Sequence, residues 1–429
     1  MSNMRMLLFF TIIFTIVFSL QYLVYSTFKK YLLSKSIKDE IRKIISVYPF
    51  VIFNLPYLYI IINRLLSLDT TDWVSKFIFP PFYIFQSAII FIGLYLFIGK
   101  IIKSPFSLSI WMLNKFSFTK DSVKKIFSSE PVKKIDSSRR AFIRTSATFV
   151  SGYAFTGATL GVLNKNEYEI ERINIGLSDL PDEIKGTTVT LISDIHSGPY
   201  MDENLIREYT DVVNDLKSDF IMIPGDFTNS NRMEVHPLAK AFKDLKASKG
   251  IFGTLGNHDF FSDGEYVSKV LSDETPVKLL RNQSELISIN GKNLCIIGCD
   301  DTRQSGSVFD PVLMGYLDAA YDLAEIKAKE KNLELSKIPK ITLFHKPYFF
   351  EEMNNKKSDL ILSGHTHGGQ VVLAKFGNLN LSFAGAVSKY ISGLYESGNS
   401  KMYVSRGIGS VGLPIRFNCK PEITKITLN

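Results

Sequence analysis

The chain is 429 residues long, carries 50 Lys and Arg against 42 Asp and Glu for a formal net charge of +8, and holds three cysteines. That length exceeds one ordinary domain, and so few cysteines in an odd number exclude a disulfide framework. The excess basic charge lies at 29–43 and 100–144, beside apolar segments; such flanks orient membrane spans, and with no nucleic-acid-binding motif beside them nucleic acid is excluded as the expected partner.

Composition changes near residue 165. Before it Phe, Ile, Leu and Lys dominate and acids are few, whereas all six histidines lie after it. An apolar run at 6–26 is long enough to cross a bilayer. It lacks a small-residue cleavage site and is followed by Lys29 and Lys30, so it reads as a retained anchor rather than a signal peptide. A second span is predicted at 44–66, with Pro49, Asn54 and Pro56 inside it; a membrane helix tolerates them where neighbours satisfy the freed backbone groups. A third is predicted at 82–102. A fourth candidate, 145–163, is rich in Ser, Thr and Gly and reads either as a span suited to close helix packing or as a translocation signal. It follows Ser138-Arg139-Arg140-Ala141-Phe142-Ile143-Arg144, which resembles a twin-arginine export motif, although such motifs open a chain; the plainer reading is a basic cytoplasmic flank.

The basic stretches at 29–43 and 100–144 belong in the cytoplasm by the positive-inside rule, and the loop at 67–81, with Asp69, Asp72 and only Lys76, belongs outside. Four spans leave everything after 165 outside the cytoplasm; three leave it inside. The expectation is a multi-pass membrane protein with its second domain extracytoplasmic, divided into a membrane region at 1–165 and a globular domain at 166–429.

The second part has enough length, about 260 residues, to bury a full core. Strand-like runs are predicted at 188–193, 220–223, 250–255, 341–344 and 360–362, and helices at 203–216 and 235–247. Strands alternating with helices of that length indicate βαβ units. Further strands are predicted at 286–289, 293–297, 371–373, 402–404 and 422–427, so the fold class is α/β with a mixed sheet or two packed sheets and helices outside. Cys295 and Cys299 flank an apolar strand-like run and are expected in the core.

Five short motifs follow these strands in order: Asp194-Ile195-His196, Gly225-Asp226, Gly256-Asn257-His258-Asp259, His345 within Leu-Phe-His-Lys-Pro, and Gly364-His365-Thr366-His367-Gly368-Gly369. Carboxylate, amide and imidazole donors are thus placed repeatedly at the carboxyl ends of strands, where open α/β sheets form their sites. Two divalent ions about 4 Å apart polarise a phosphoryl group, supply hydroxide at neutral pH and stabilise the leaving oxygen. Such a pair needs a bridging carboxylate, with neutral imidazoles and amides completing each shell. Asp226 is the natural bridge; Asp194, His196 and His367 would complete one position, and Asn257, His345 and His365 the other. Manganese, iron or zinc suits this nitrogen and oxygen donor set.

The ordered series resembles the calcineurin-like metallophosphoesterases over about 187–429, and the Gly-His-Thr-His-Gly-Gly-Gln form, with Val404-Ser-Arg-Gly-Ile-Gly and Leu413-Pro-Ile-Arg-Phe, is similar to a membrane-anchored bacterial subgroup. The resemblance implies a four-layer α/β/β/α sandwich preceded by transmembrane helices, and hydrolysis of a phosphoester or pyrophosphate by metal-activated hydroxide. It implies that His258 contacts the phosphate or protonates the leaving oxygen, and that Asp259 orients and charges that imidazole. Membrane anchoring favours a lipid-linked or envelope substrate. Alternatives are an enzyme like the UDP-2,3-diacylglucosamine pyrophosphatases of lipid A assembly, a membrane sensor whose domain only binds ligand, and a transport assembly. His236 is expected at the surface. Arg406 and Arg416 either bind phosphate or pair with surface acids, and Lys346 has no assigned role.

Overall fold

The computed structural model describes residues 2–66, 73–116, 125, 127, 129–302, 311–376 and 379–429. The chain divides into two compact units, Met1–Leu163 and Asn164–Asn429.

In the first unit, helices α1 (Ser2–Leu33), α2 (Asp39–Ile52), α3 (Leu55–Leu66), α4 (Phe79–Leu113) and α5 (Glu130–Leu163) follow one another. Among the described residues three stretches, Thr11–Leu33, Asp39–Asn63 and Val74–Leu113, are long and apolar enough to cross a membrane. The 145–163 segment and the twin-arginine-like stretch both fall within α5; Asp69 and Asp72 lie outside the described residues.

The second predicted span is not one helix. It breaks between α2 and α3 at Phe53 and Asn54, between the two prolines that cannot donate to the helix ladder. Gln86 of α4 repairs the break by donating to the Phe53 carbonyl at 2.8 Å, and Gln21 of α1 exchanges amide bonds with Asn54 and Gln86 at 2.7–3.2 Å. Interhelical amide bonds of this kind contribute roughly 0.6–2 kcal/mol each. The helices also approach closely at Gly93, where a Cβ would lie 2.8 Å from that of Leu20.

The second unit packs two six-stranded sheets face to face. The first contains β1 (Glu169–Ile175), β2 (Thr188–Leu191), β3 (Phe220–Pro224), β4 (Gly250–Thr254), β5 (Lys278–Leu279) and the last strand of the chain, Glu422–Leu428. That last strand lies between β1 and β2, parallel to β1 and antiparallel to β2; β2 to β5 are parallel in order. The second sheet contains β6 (Gln283–Ile289), β7 (Lys292–Cys299), β8 (Lys340–Phe344), β9 (Leu360–Ser363) and two strands at Gly393–Ser397 and Ser400–Val404. Its centre, β7 to β9, is parallel, and the hairpins at either side are antiparallel.

Alternation along the strands builds the layers. On β3, Phe220 and Met222 join Val189, Leu191, Phe252, Ile296, Ile341, Leu343, Leu360 and Leu362 between the sheets. Ile221 and Ile223 point the other way, against helices α6 (Glu203–Asp215) and α7 (Val235–Phe242). A third cluster packs Cys295, Ile297 and Ile361 under the helix at Pro311–Glu330. Both faces of each sheet are covered, which explains the continuous apolar runs in the central strands. The order is therefore helix, sheet, sheet, helix: the four-layer α/β/β/α sandwich. Cys295, Cys299 and Cys419 are free and buried.

Two element expectations change. The helix predicted at 235–247 stops at Phe242. Residues 371–373 form no strand but one bridge from Val371 to Phe417, and a hairpin of β10 (Ala374–Phe376) and β11 (Leu379–Leu381) follows.

Away from the strand ends that carry the motifs, Asp219 ties the start of β3 to its neighbours, accepting from Thr188 N at 2.9 Å and Lys249 Nζ at 2.6 Å. Burial alone would raise its pKa, but these bonds outweigh it and hold the carboxyl at about 2. A carboxyl depressed in the folded state stabilises the fold fully above its unfolded pKa, about 3.9, and loses that contribution as pH falls through the folded value. Asp219→Asn is therefore expected to unfold at lower urea concentration than wild type at neutral pH, with the gap closing on acidification. A gap that persists unchanged in acid would contradict this.

Candidate metal centre

All five motifs leave the carboxyl ends of β2, β3, β4, β8 and β9. The turns there are sharp: Asp194, His196, Asp226, His365 and His367 have φ between +49° and +72°, a region costing non-glycine residues about 1–3 kcal/mol each and concentrated at functional sites. The loops also approach too closely for side chains at two glycines. A Cβ on Gly256 would sit 2.2 Å from Asp226 Oδ1, and one on Gly364 would sit 2.3 Å from Asp194 Oδ2.

The structure brings six of the seven predicted ligands together in two neighbouring groups. Asp194, His196 and His367 offer donor atoms within 4.8 Å of one another, as do Asp226, His345 and His365. Asp226 belongs to both neighbourhoods, its Oδ2 lying 3.5 Å from His196 Nε2 and 3.1 Å from His345 Nε2. His196 Nε2 faces His367 Nε2 at 3.0 Å, and His365 Nδ1 faces His345 Nε2 at 3.2 Å. Two imidazole nitrogens so close need a proton or cation between them. Asn257 Oδ1 is buried without a hydrogen-bond partner among the described residues. His345 presents Nε2 because its Nδ1 bonds the Pro224 carbonyl at 2.7 Å, the usual way a ligating imidazole is oriented. The donor set therefore fits divalent metal ions.

Electrostatics agree with that fit at His196, His365 and His367, while His345 is raised by the Asp226 carboxylate. Burial lowers the pKa of His196 to about 3 and those of His365 and His367 well below the usual value, with neighbouring cations adding to the effect. These shifts favour the neutral form in which an imidazole can ligate. Burial would raise Asp226 and lower His345, but their mutual attraction wins, depressing the carboxyl and raising the imidazole. Burial pushes Asp194 up.

His258 stands at the rim, half-buried, its ring perpendicular to that of His196 at 4.6 Å. Its Nδ1 bonds the Asn229 carbonyl at 2.5 Å and its backbone N–H donates to Asp226 Oδ1 at 2.8 Å. Asp259 does not orient this imidazole as expected. Its carboxylate accepts instead from Thr228 N and Gly256 N, both at 2.9 Å, bracing the loop behind His258; burial, then Asp226, raises its pKa to about 7. The sequence also concealed Glu234, whose Oε2 accepts from the N–H groups of Asn229, Ser230 and Asn231 at 2.7–3.0 Å and so sets the carbonyl that holds His258.

Neither arginine is available to phosphate. Arg406 is committed to Glu169, Glu171 and Glu422. Arg416 is buried and donates to the carbonyls of Arg406, Gly407 and Gly409, with Nη2 3.3 Å from His367 Nδ1. Lys346 is buried against Asp301, and His236 is half-buried with its Nε2 2.9 Å from the Tyr266 hydroxyl rather than free at the surface.

The calcineurin-like phosphoesterase family model matches residues 187–369. An uncharacterized metallophosphoesterase of Aquifex aeolicus is 30% identical over 262 residues, covering 60% of this chain and 91% of that one. The uncharacterized metallophosphoesterase YkuE of Bacillus subtilis is 29% identical over 301 residues, covering 68% and 97%. The zebrafish (Danio rerio) transmembrane protein with metallophosphoesterase domain is 27% identical over 278 residues, covering 63% of this chain; the match spans 60% of that protein's length. With the matched segment carrying the motifs from Asp194 to Gly369 and the fold described above, the chain belongs to the calcineurin-like metallophosphoesterase family.

Proposed function

We propose that the chain is a membrane-held hydrolase that uses two divalent metal ions to cleave a phosphoester or pyrophosphate bond. The observation that supports this reading is the position of Asp226 Oδ2 between two donor clusters, 3.5 Å from His196 Nε2 in one and 3.1 Å from His345 Nε2 in the other. Asp194, His196, His367 and Asp226 would hold one ion; Asp226, Asn257, His345 and His365 would hold the other. Bound there, manganese, iron or zinc would polarise the phosphoryl oxygens and make water a nucleophile at neutral pH. His258, anchored through Nδ1, presents Nε2 to the site and contacts the phosphate or protonates the leaving oxygen. Glu234 keeps it aimed by fixing the loop that carries the Asn229 carbonyl.

The substrate is proposed to carry an apolar portion. Phe261, 40% exposed, lies edge-on to His258. Exposed Leu381 and Phe383 adjoin Asn380 and Ser382, which contact Gly368 and Gly369 beside His367. A lipid phosphoester fits such a rim and a membrane-held chain. In the first test, full-length protein in detergent is given bis-p-nitrophenyl phosphate with Mn²⁺. Turnover should vanish on chelation and return with added Mn²⁺; no turnover by protein with two ions bound would sink the esterase reading.

We place the second unit outside the cytoplasm of a bacterial inner membrane, with 145–163 as the crossing segment. The basic stretches at 29–43 and 100–144 support this. A cysteine introduced at exposed Ser178 should react with a membrane-impermeant maleimide in intact spheroplasts; reaction only after lysis would reverse the topology.

A further inference from the structure

We propose that the buried ion pair Asp301–Lys346 is a positioning element for the second metal position, setting the separation of Asn257 and His345 without touching the ion. This rests on the reading of Asn257 and His345 as ligands.

Asn257 follows β4 in the first sheet, and His345 follows β8 in the second. No covalent feature fixes the gap between these two strand ends. The dipeptide Asp300-Asp301, immediately after β7, does so by hydrogen bonds. Asp300 Oδ1 accepts from Leu255 N at 3.2 Å and Thr254 Oγ1 at 3.3 Å, and its Oδ2 accepts from Arg281 Nε at 2.8 Å. The N–H of Asp301 donates to the Leu255 carbonyl at 2.9 Å. Leu255, two residues before Asn257, is thus held through both of its backbone polar groups. On its other side Asp301 Oδ1 accepts from Lys346 Nζ at 2.7 Å, with both side chains 2% exposed. Lys346 is bonded directly to His345. A continuous path runs from Asn257 through Leu255, Asp301 and Lys346 to His345, behind the ligands.

The pair is poorly explained as a source of stability. Burying two charges costs as much as their attraction returns, and apolar replacements of similar volume are often neutral. Asp301 Oδ2 moreover is buried with no hydrogen-bond partner among the described residues. What the pair contributes is a defined length and direction between two loops, which an apolar contact does not fix. Ligand separation is the quantity that governs affinity in a metal site, and loss of supporting contacts behind ligands costs about 10- to 100-fold in affinity.

The test uses full-length protein in detergent as wild type, Asp301→Asn, Lys346→Met and the double variant, each stripped of metal and titrated with Mn²⁺ by calorimetry. Wild type should take up two ions. Each single variant should bind the first ion as wild type does and the second about 10- to 100-fold more weakly, with hydrolysis recovering at high Mn²⁺. The double variant should match the singles, because all three break the same link; it also leaves no lone buried charge, so it serves if a single variant fails to fold. Two ions bound with wild-type affinity in the folded double variant would overturn the inference alone. Equal weakening of both ions would also overturn it, since the pair would then support the whole domain and not one position. A wild-type chain that binds no ion would overturn the ligand assignment and this inference together.

Discussion

Asp226→Asn is expected to lose metal-dependent hydrolysis by more than about 10³-fold, the upper range for removing a single preorganised electrostatic group, together with most of its bound metal. Among the described residues, Asp226 is the carboxylate within reach of both donor groups, 3.5 Å from His196 Nε2 and 3.1 Å from His345 Nε2. An amide in its place has one oxygen and no charge with which to hold two cations close together. The substitution is otherwise mild. Asn has nearly the same shape, tolerates the left-handed conformation found there, φ +57°, and can still accept from His258 N through its oxygen. Circular dichroism should therefore remain native while metal per chain and turnover fall. Native turnover by the variant would show that the cluster is not the working site.

The second large effect is expected at His258, and it separates two roles. Asp226, His196 and His258 also lie close enough together to share an ion, so geometry alone admits His258 as a ligand. Its Nδ1 is occupied by the Asn229 carbonyl at 2.5 Å, and the ring stands at the rim beside Phe261 at 5.2 Å, facing where a phosphate would sit. Loss of a positioned acid or base costs about 10²- to 10⁴-fold in kcat. His258→Ala should therefore lower kcat by that order while keeping two ions per chain. A fall in metal content parallel to the fall in rate would make His258 a ligand instead. If it is the proton donor, the loss should be smaller for an ester whose leaving group needs no proton, such as p-nitrophenol, than for an alkyl ester.

The donors were legible because each motif is contiguous and ends a strand whose apolar run is itself visible. The seven proposed ligands occupy five short stretches, and the turns they require bring glycine into the same stretches. Much of what the sequence concealed works through backbone groups, some near in the chain and some distant. Asp301 reaches Leu255 and Lys346, Arg416 reaches the carbonyls around Gly407 and Gly409, and Glu234 gathers three successive N–H groups. Apart from the Lys346 side chain, these partners are backbone groups, so no pattern of residue types announces them. Asp259 illustrates the same point in reverse. Next to His258 in sequence, it turns back to Gly256 N at the start of its own helix, a contact three residues away that competes with the neighbouring ring. Strand β1 was missed because Glu169, Glu171, Arg172 and Asn174 interrupt its apolar residues Ile170, Ile173 and Ile175, so no apolar run marks it. In the membrane unit, the prolines signalled a possible break, but the repair by Gln86 depends on a helix more than 30 residues away.

The measurement that bears most directly on a dinuclear centre is the paramagnetic resonance spectrum of metal-free full-length protein titrated with Mn²⁺. Two ions sharing Asp226, about 4 Å apart, should give an exchange-coupled spectrum that grows with the second equivalent and is absent from Asp226→Asn. A spectrum of isolated Mn²⁺ at two bound equivalents, or binding that saturates at one, would contradict the shared centre.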